Sequence, residues 1–319
     1  MIILSRGIIF FILILAAEKA GAVKITDASE RARTADRVVV SVVFSSDLEP
    51  YQQSWQGFKE FLEEKGVALW ADEYNLLKEK EPKVVFSRIK EKRPDIVFTI
   101  GTKALKLAKE EIENIPVVFS VVLDPGKIIN PNVTGVSLDI SARIKLGEIK
   151  RIFPDIKSIG LVYSSKTTPL SRETLDLCKA LELQLITKKI DTEKEFPKVI
   201  KEISQQIDGF LMIPDSKIYF PQSIEYLLLE SLRKKFLVIG LSSSYTKAGA
   251  LISFDCDYKE LGRQAGEITL RILEGEKPAD IQPSRPRKIR FSLNLLAAER
   301  LGIRIPSAII EEASEVFGR

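Results

Sequence analysis

Residues 93–125 read RPDIVFTIGTKALKLAKEEIENIPVVFSVVLDP, and the fold follows from their pattern. Residues 95–100 make a short apolar, β-branched run that stops at Gly101-Thr102, after which Ala104, Ala108 and Ile112 recur at the i, i+4, i+8 spacing of a helix face. A second apolar run, 116–123, closes at Asp124-Pro125. Strand, tight turn, helix and strand form a βαβ unit whose two strands run parallel, so their ends point the same way. At the first strand end, Gly101-Thr102 offers unpaired backbone N–H groups and a hydroxyl at a helix N-terminus, where an anion is favoured. Ser120 and Asp124 come up beside it from the second strand, leaving room for a small zwitterion. The plain structural alternative is that Thr102 only caps the helix and Asp124-Pro125 only starts a turn.

Working outward, 319 residues with 45% hydrophobic and 29% charged content describe a globular chain long enough for two domains. The net charge of +4 is small and the charges of both signs are interspersed, which argues against nucleic acid as a partner. With 0 histidines the chain lacks the commonest general base and the commonest neutral metal ligand, so classical triads and zinc sites are excluded and no cofactor is expected. No G-x-S-x-G elbow occurs, which counts against an exported hydrolase. Cys178 and Cys256 are far apart and in no metal-ligand spacing; they read as two packed thiols, with a disulfide as the alternative.

Arg6 precedes the apolar run 8–17, too short to span a bilayer, and Ala20-Gly21-Ala22 is a small-residue cleavage site. Residues 1–22 are therefore expected to be a cleaved signal peptide and 23–36 a flexible leader, with an uncleaved anchor as the alternative. The absence of a cysteine near the site argues against lipid attachment there, and the mature chain is expected to be a soluble periplasmic monomer.

Residues 37–44 form a β-rich run ending in Ser45-Ser46-Asp47, followed by a helix face of Trp55, Phe58 and Leu62 that Gly66 stops. A second strand at 67–74, a helix from Pro82 to Lys92 and the unit above complete four parallel strands of a doubly wound layer. The first strand turn has no G-x-G-x-x-G fingerprint, which speaks against a dinucleotide. Residues 132–138 read as a further strand and Ile144, Ile149 and Ile152 as a helix face ended by Pro154. The alternation then repeats: strands at 157–163, 183–190, 209–213, 236–240 and 250–254, helices at about 171–181, 193–205 and 224–234, and a long helix marked by Leu261, Ala265, Ile268 and Ile272. A strand at 287–293, a short helix and a tail close the chain. Its polar strand tips are Tyr163-Ser164-Ser165, Pro214-Asp215-Ser216 and Ser242-Ser243-Ser244. Polar tips from two α/β layers, without base, metal or phosphate loop, describe a cleft that binds rather than reacts.

The stretches GTKALKLAKEEIENIPVVFSVVLDP (101–125), NVTGVS (132–137), GALISFDCDYKELGRQAGEITLRILEGEKPADI (249–281) and LNLLAAERLGIRIP (293–306), in this order and spacing, resemble the ABC transporter substrate-binding family that includes tryptophan- and tyrosine-binding proteins. The resemblance implies a type I periplasmic-binding-protein fold: two doubly wound α/β lobes, 37–140 plus 256–281 and 141–255 plus 282–319, joined by three crossovers and closing on a ligand. It implies a receptor that delivers an amino-acid-like or carboxylate ligand, held in the interlobe cleft, to an ABC permease in the inner membrane. A sensory partner of a membrane signalling protein is the alternative. By position, Gly101 and Thr102 would meet the carboxylate and Ser120 and Asp124 would line the floor, while Tyr163, Ser164, Ser165, Asp215, Ser242 and Asp255 would face from the second lobe. Ser45-Ser46-Asp47-Leu48-Glu49-Pro50-Tyr51 departs from the histidine-containing turn of many members, so the ligand's side chain is left open. Within that turn Ser45, Ser46 and Tyr51 are site candidates, Tyr51 reading equally as a ring platform or a helix-start residue. Trp55, on the apolar face of its helix, reads as core.

Overall fold

The structure, a computed structural model, describes residues 37–123, 125–126, 130–165, 172–215 and 217–319. The expected signal peptide and leader, together with Asp124, lie outside the described residues. The chain divides into two compact units, the described residues through Gly135 with Gly262–Gln282, and Val136–Leu261 with Pro283–Arg319.

Unit 1 alternates β1 (Arg37–Phe44), α1 (Glu49–Glu64), β2 (Ala68–Asn75), α2 (Pro82–Lys92), β3 (Ile96–Ile100), α3 (Thr102–Glu111) and β4 (Val117–Val122), with β5 (Val133–Ser137) at the far edge. The sheet order is β2-β1-β3-β4-β5, and β1–β2, β1–β3 and β3–β4 are all parallel. Every residue of β3 and β4 is buried, the pattern of parallel strands covered on both faces. Edge strand β2 instead leaves Trp70 57% exposed. Trp55 and Phe58 of α1 pack on Phe98, with Phe58 and Phe98 ring centroids 4.2 Å apart, so Trp55 is core as expected. Its indole N–H also donates to Glu73 Oε1 at 2.6 Å, which satisfies the ring's polar atom.

Unit 2 begins with α4 (Ala142–Ile152), then alternates β6 (Ser158–Ser164), α5 (Arg172–Ala180), β7 (Gln184–Ile190), α6 (Phe196–Ile203), β8 (Gly209–Leu211), α7 (Pro221–Lys234), β9 (Leu237–Gly240), α8 (Ser243–Ala248) and β10 (Ile252–Cys256). Long helix α9 (Tyr258–Leu273) leads towards β11 (Ile289–Asn294), α10 (Leu295–Leu301), α11 (Ser307–Glu312) and β12 (Glu315–Phe317). The sheet order is β12-β11-β10-β9-β8-β6-β7, with β10–β11 its antiparallel pair.

Three features depart from the sequence reading. The tip at Ser242 continues into α8, whose Thr246 hydroxyl donates to Ser253 Oγ and accepts from Ser292 Oγ, each at 2.7 Å. Polar anchoring of this kind leaves no apolar periodicity to read. The tail after Pro306 forms α11 and β12, and β12 pairs with β11 in parallel. Strand β8 ends at Leu211, ahead of Pro214, which has no N–H to give a ladder.

One device recurs in both units. Asp95, just before β3, accepts the Val39 N–H of β1 at 2.8 Å. Asp208, just before β8, accepts the N–H groups of Lys157 and Ser158 at 2.8 Å and the Ser158 hydroxyl at 2.9 Å. Each carboxylate satisfies strand-start donors of the neighbouring strand, at the end of the sheet opposite the polar tips.

Candidate functional site

In unit 1 the carboxyl ends of β1, β3 and β4 meet at Gly101. Its φ of 94° lies in the left-handed region, which glycine enters without cost. A Cβ there would sit 2.6 Å from both Ser45 Oγ and Tyr51 Oη, so the glycine is required by close approach as well. Ser45, one residue past β1, donates its N–H to Ile100 O at 2.9 Å, and its hydroxyl accepts the Ala104 N–H at 2.9 Å. Ser46 hydrogen-bonds the Tyr51 hydroxyl, while burial raises the pKa of that phenol and the Ser46 bond opposes the rise.

These contacts redraw the expected anion site. The Gly101 N–H is not open, because it donates to Ser120 O at 2.9 Å. Thr102 is exposed at the first helical position and Gly101 is the N-cap residue, so Thr102 does not cap α3. With Ala104 served by Ser45, the amides of Thr102 and Lys103 are the first-turn donors that intrahelical geometry leaves without partners. Ser120 has no exposed surface, and its hydroxyl accepts from Ser54 Oγ at 2.9 Å, so it supports the floor from behind. The next residue, Val121, has φ 58°, a strained setting for a β-branched side chain at this strand end.

In unit 2 the tips of β6 and β8 are tied together by Asp215, which is 7% exposed. Its carboxylate accepts the Ser164 N–H at 3.0 Å and the Lys217 N–H at 2.9 Å, and Lys217 Nζ donates to Ser165 Oγ at 3.3 Å. Ser164 is buried, whereas Tyr163 is partly exposed and Ser165 is exposed. Ser242, partly exposed, is the N-cap residue of α8. Asp255 lies within β10; its Oδ1 accepts the Cys256 N–H at 2.8 Å and the Tyr258 hydroxyl at 2.7 Å. Burial raises its pKa, and those two bonds only partly oppose the rise. The start of α9 is capped by Asp257, which accepts the Glu260 N–H at 3.1 Å and pairs with Arg290 at 2.8 Å.

The cysteines are two free buried thiols, and burial drives the Cys256 thiol up to about 12. Within unit 1 the structure thus gathers Ser45, Ser46, Tyr51, Gly101, Thr102 and, behind them, Ser120. Within unit 2 it gathers Ser164, Ser165 and Asp215. Sequence reading missed Ser54, Lys103, Val121 and Lys217; nothing in the apolar periodicity marks them.

The chain belongs to the ABC transporter substrate binding protein family, which it matches over residues 37–317. The family is one of substrate-binding proteins, not of enzymes. Among curated proteins it is 26% identical over 195 residues to a tyrosine-binding protein of Clostridioides difficile, covering 58% of this chain and 56% of that one. It is 27% identical over 198 residues, 61% of this chain, to an uncharacterised protein of Rickettsia prowazekii, of whose length it spans 63%. The fold is that of type I periplasmic binding proteins. The ligand-free structure of a Clostridium difficile substrate-binding protein with adhesive properties superposes with a TM-score of 0.71 at 21% identity, covering 88% of this chain and 100% of that one. A Streptococcus pneumoniae domain in complex with L-Trp gives 0.59 at 21% identity, covering the same 88% and 100%.

Proposed function

We propose that this protein is the extracytoplasmic receptor of an ABC importer, binding an amino-acid-like ligand with a free carboxylate. The observation that carries the reading is the tip of β3, where the exposed Thr102 and the first-turn amides of α3 adjoin Gly101, onto which the Tyr51 hydroxyl closes where a Cβ would lie. Neutral donors at a helix N-terminus suit a carboxylate, and the tyrosine offers a platform for an apolar or aromatic side chain. A tyrosine-binding protein among the relatives and a neighbour solved with L-Trp support aromatic amino acids as the first ligands to try. On this reading Asp215 positions the tips of β6 and β8, and Tyr163, Ser165 and Ser242 form unit 2's polar rim. Export by a cleaved signal peptide to the periplasm, action as a monomer and delivery to an inner-membrane permease complete the proposal.

A thermal-shift screen of amino acids and small carboxylates tests it. A ligand at about 100 times its Kd stabilises by about 2.7 kcal/mol. A flat response across the whole screen would refute the ligand class.

A further inference from the structure

Unit 2 carries a groove between α7, α8 and α10, a cavity of about 640 Å³ lined by residues of that unit alone. Helix α7 supplies its long wall, where Pro221, Ile224, Leu228 and Leu232 recur three to four residues apart on one helix face. Leu229 of the same helix is 49% exposed and Leu296 of α10 43%, so two large apolar side chains of the lining stand in water. Asn294, which also lines the groove, asks for no polar partner there: its amide donates to Thr246 O and accepts the Ala297 N–H, each at 2.9 Å.

Charge enters from the ends of two helices. Lys247 in the last turn of α8 and Arg300 in the last turn of α10 line the groove and are exposed, against Glu225 as the acid on its wall. Neither cation has a carboxylate partner among the described residues. Glu230 of α7 pairs with Arg233 at 3.6 Å, and Arg300 accepts from Lys235 Nζ through its backbone carbonyl, which leaves the guanidinium unpaired.

Size then selects the occupant. From Pro221 to Leu232 the α7 wall runs about 16 Å, at about 1.5 Å per residue. The volume spread over that length leaves a cross-section of about 40 Å², half that of a helix about 10 Å across with its side chains. Such a slot is too narrow for a partner helix and wide enough for one alkyl chain.

We propose that this groove binds a single-chain amphiphile with an anionic head, of the chemical class of a free fatty acid. Its chain lies along the leucines of α7 and α10, and its head meets Lys247 and Arg300. Burial of the chain supplies affinity, and the two cations set the sign of the head. The site is separate from the tip of β3 and does not depend on the receptor reading.

Calorimetric titration of the full chain with decanoate, decyltrimethylammonium and acetate, each below its micelle concentration, tests this. Wild type should bind one decanoate, about tenfold or more tightly than decyltrimethylammonium, and acetate should give no saturable signal. Lys247→Glu with Arg300→Glu should reverse the preference between the two amphiphiles. Leu229→Gln should weaken both by a similar factor. All three positions are exposed, so the variants should melt as wild type does; should the double variant lose its cooperative transition, Lys247→Ala with Arg300→Ala carries the comparison and should abolish the preference. A wild type that binds the two amphiphiles equally, takes up many decanoates without saturation or binds none overturns the proposal, and so does a charge variant that keeps the wild-type preference. Sedimentation that shows a dimer of this chain, lost in Leu229→Gln, would assign the groove to a second copy and overturn it as well.

Discussion

The hydroxyl of Ser45 accepts the backbone N–H of Ala104 at 2.9 Å, so the first turn of α3 is capped by a residue from another strand, 59 positions earlier. Helix α3 has no side-chain cap of its own, because its N-cap residue is Gly101. Ser45→Ala removes that acceptor and should cost about 1 kcal/mol, the usual worth of an N-cap side chain. Urea unfolding should show a lower midpoint with an unchanged slope. An unaltered midpoint would mean that water serves Ala104 equally well.

Gly101→Ala meets two penalties at once, the left-handed φ of 94° and a Cβ 2.6 Å from Ser45 Oγ and Tyr51 Oη. Together these should cost about 2 to 4 kcal/mol. Pairing it with Tyr51→Phe, which removes one of the colliding atoms, should recover part of the loss, and a double-mutant cycle would measure how much.

Thr102 is exposed and outside the packing, whereas Asp215 is buried and holds two amides. Thr102→Val should leave thermal stability within about 0.5 kcal/mol of wild type while weakening ligand binding by about 1.5 to 3 kcal/mol. Asp215→Asn should do the reverse in part, lowering stability by about 1 to 3 kcal/mol as the amides of Ser164 and Lys217 lose a charged acceptor. Melting curves and titrations of both variants together decide whether the two residues divide the work in this way.

Burial pushes the Asp208 carboxyl up, but the Lys157 and Ser158 donors outweigh it, and the net pKa is lowered. The stability it contributes is therefore fully present above the ordinary aspartate value of about 3.9 and is lost as pH falls through the lower folded value. Asp208→Asn should cost about 1 kcal/mol near neutrality, the smaller end of the range because the group is exposed. Below about pH 3 the difference from wild type should shrink, and a difference that stays constant through that window would show that the charge plays no part.

Much of the architecture was legible because burial leaves a period. The apolar runs at β3 and β4 and the stop at Gly101 follow from residue type alone, and α1 and α9 show their apolar faces in the spacing of Trp55, Phe58 and Leu62 and of Leu261, Ala265 and Ile268. Helix α8 was not legible, because Thr246 is held by hydroxyls of Ser253 and Ser292 from other elements. The same limit hid the strand-start roles of Asp95 and Asp208, whose partners lie 56 and about 50 residues away.

At the site the division is sharper. By itself the sequence determined that polar turns close the strands of a parallel α/β protein with no histidine, since strand periodicity and residue chemistry are local properties. The tertiary structure alone decided which of those polar atoms remain for a ligand. Gly101's N–H, Ser120's hydroxyl and the carboxylates of Asp215 and Asp255 are taken by partners remote in sequence or folded back by the chain, while the exposed Thr102 is left. A hydrogen bond or an ion pair depends on a distance of about 3 Å between two groups, and for residues far apart in the chain that distance exists only once the chain has packed.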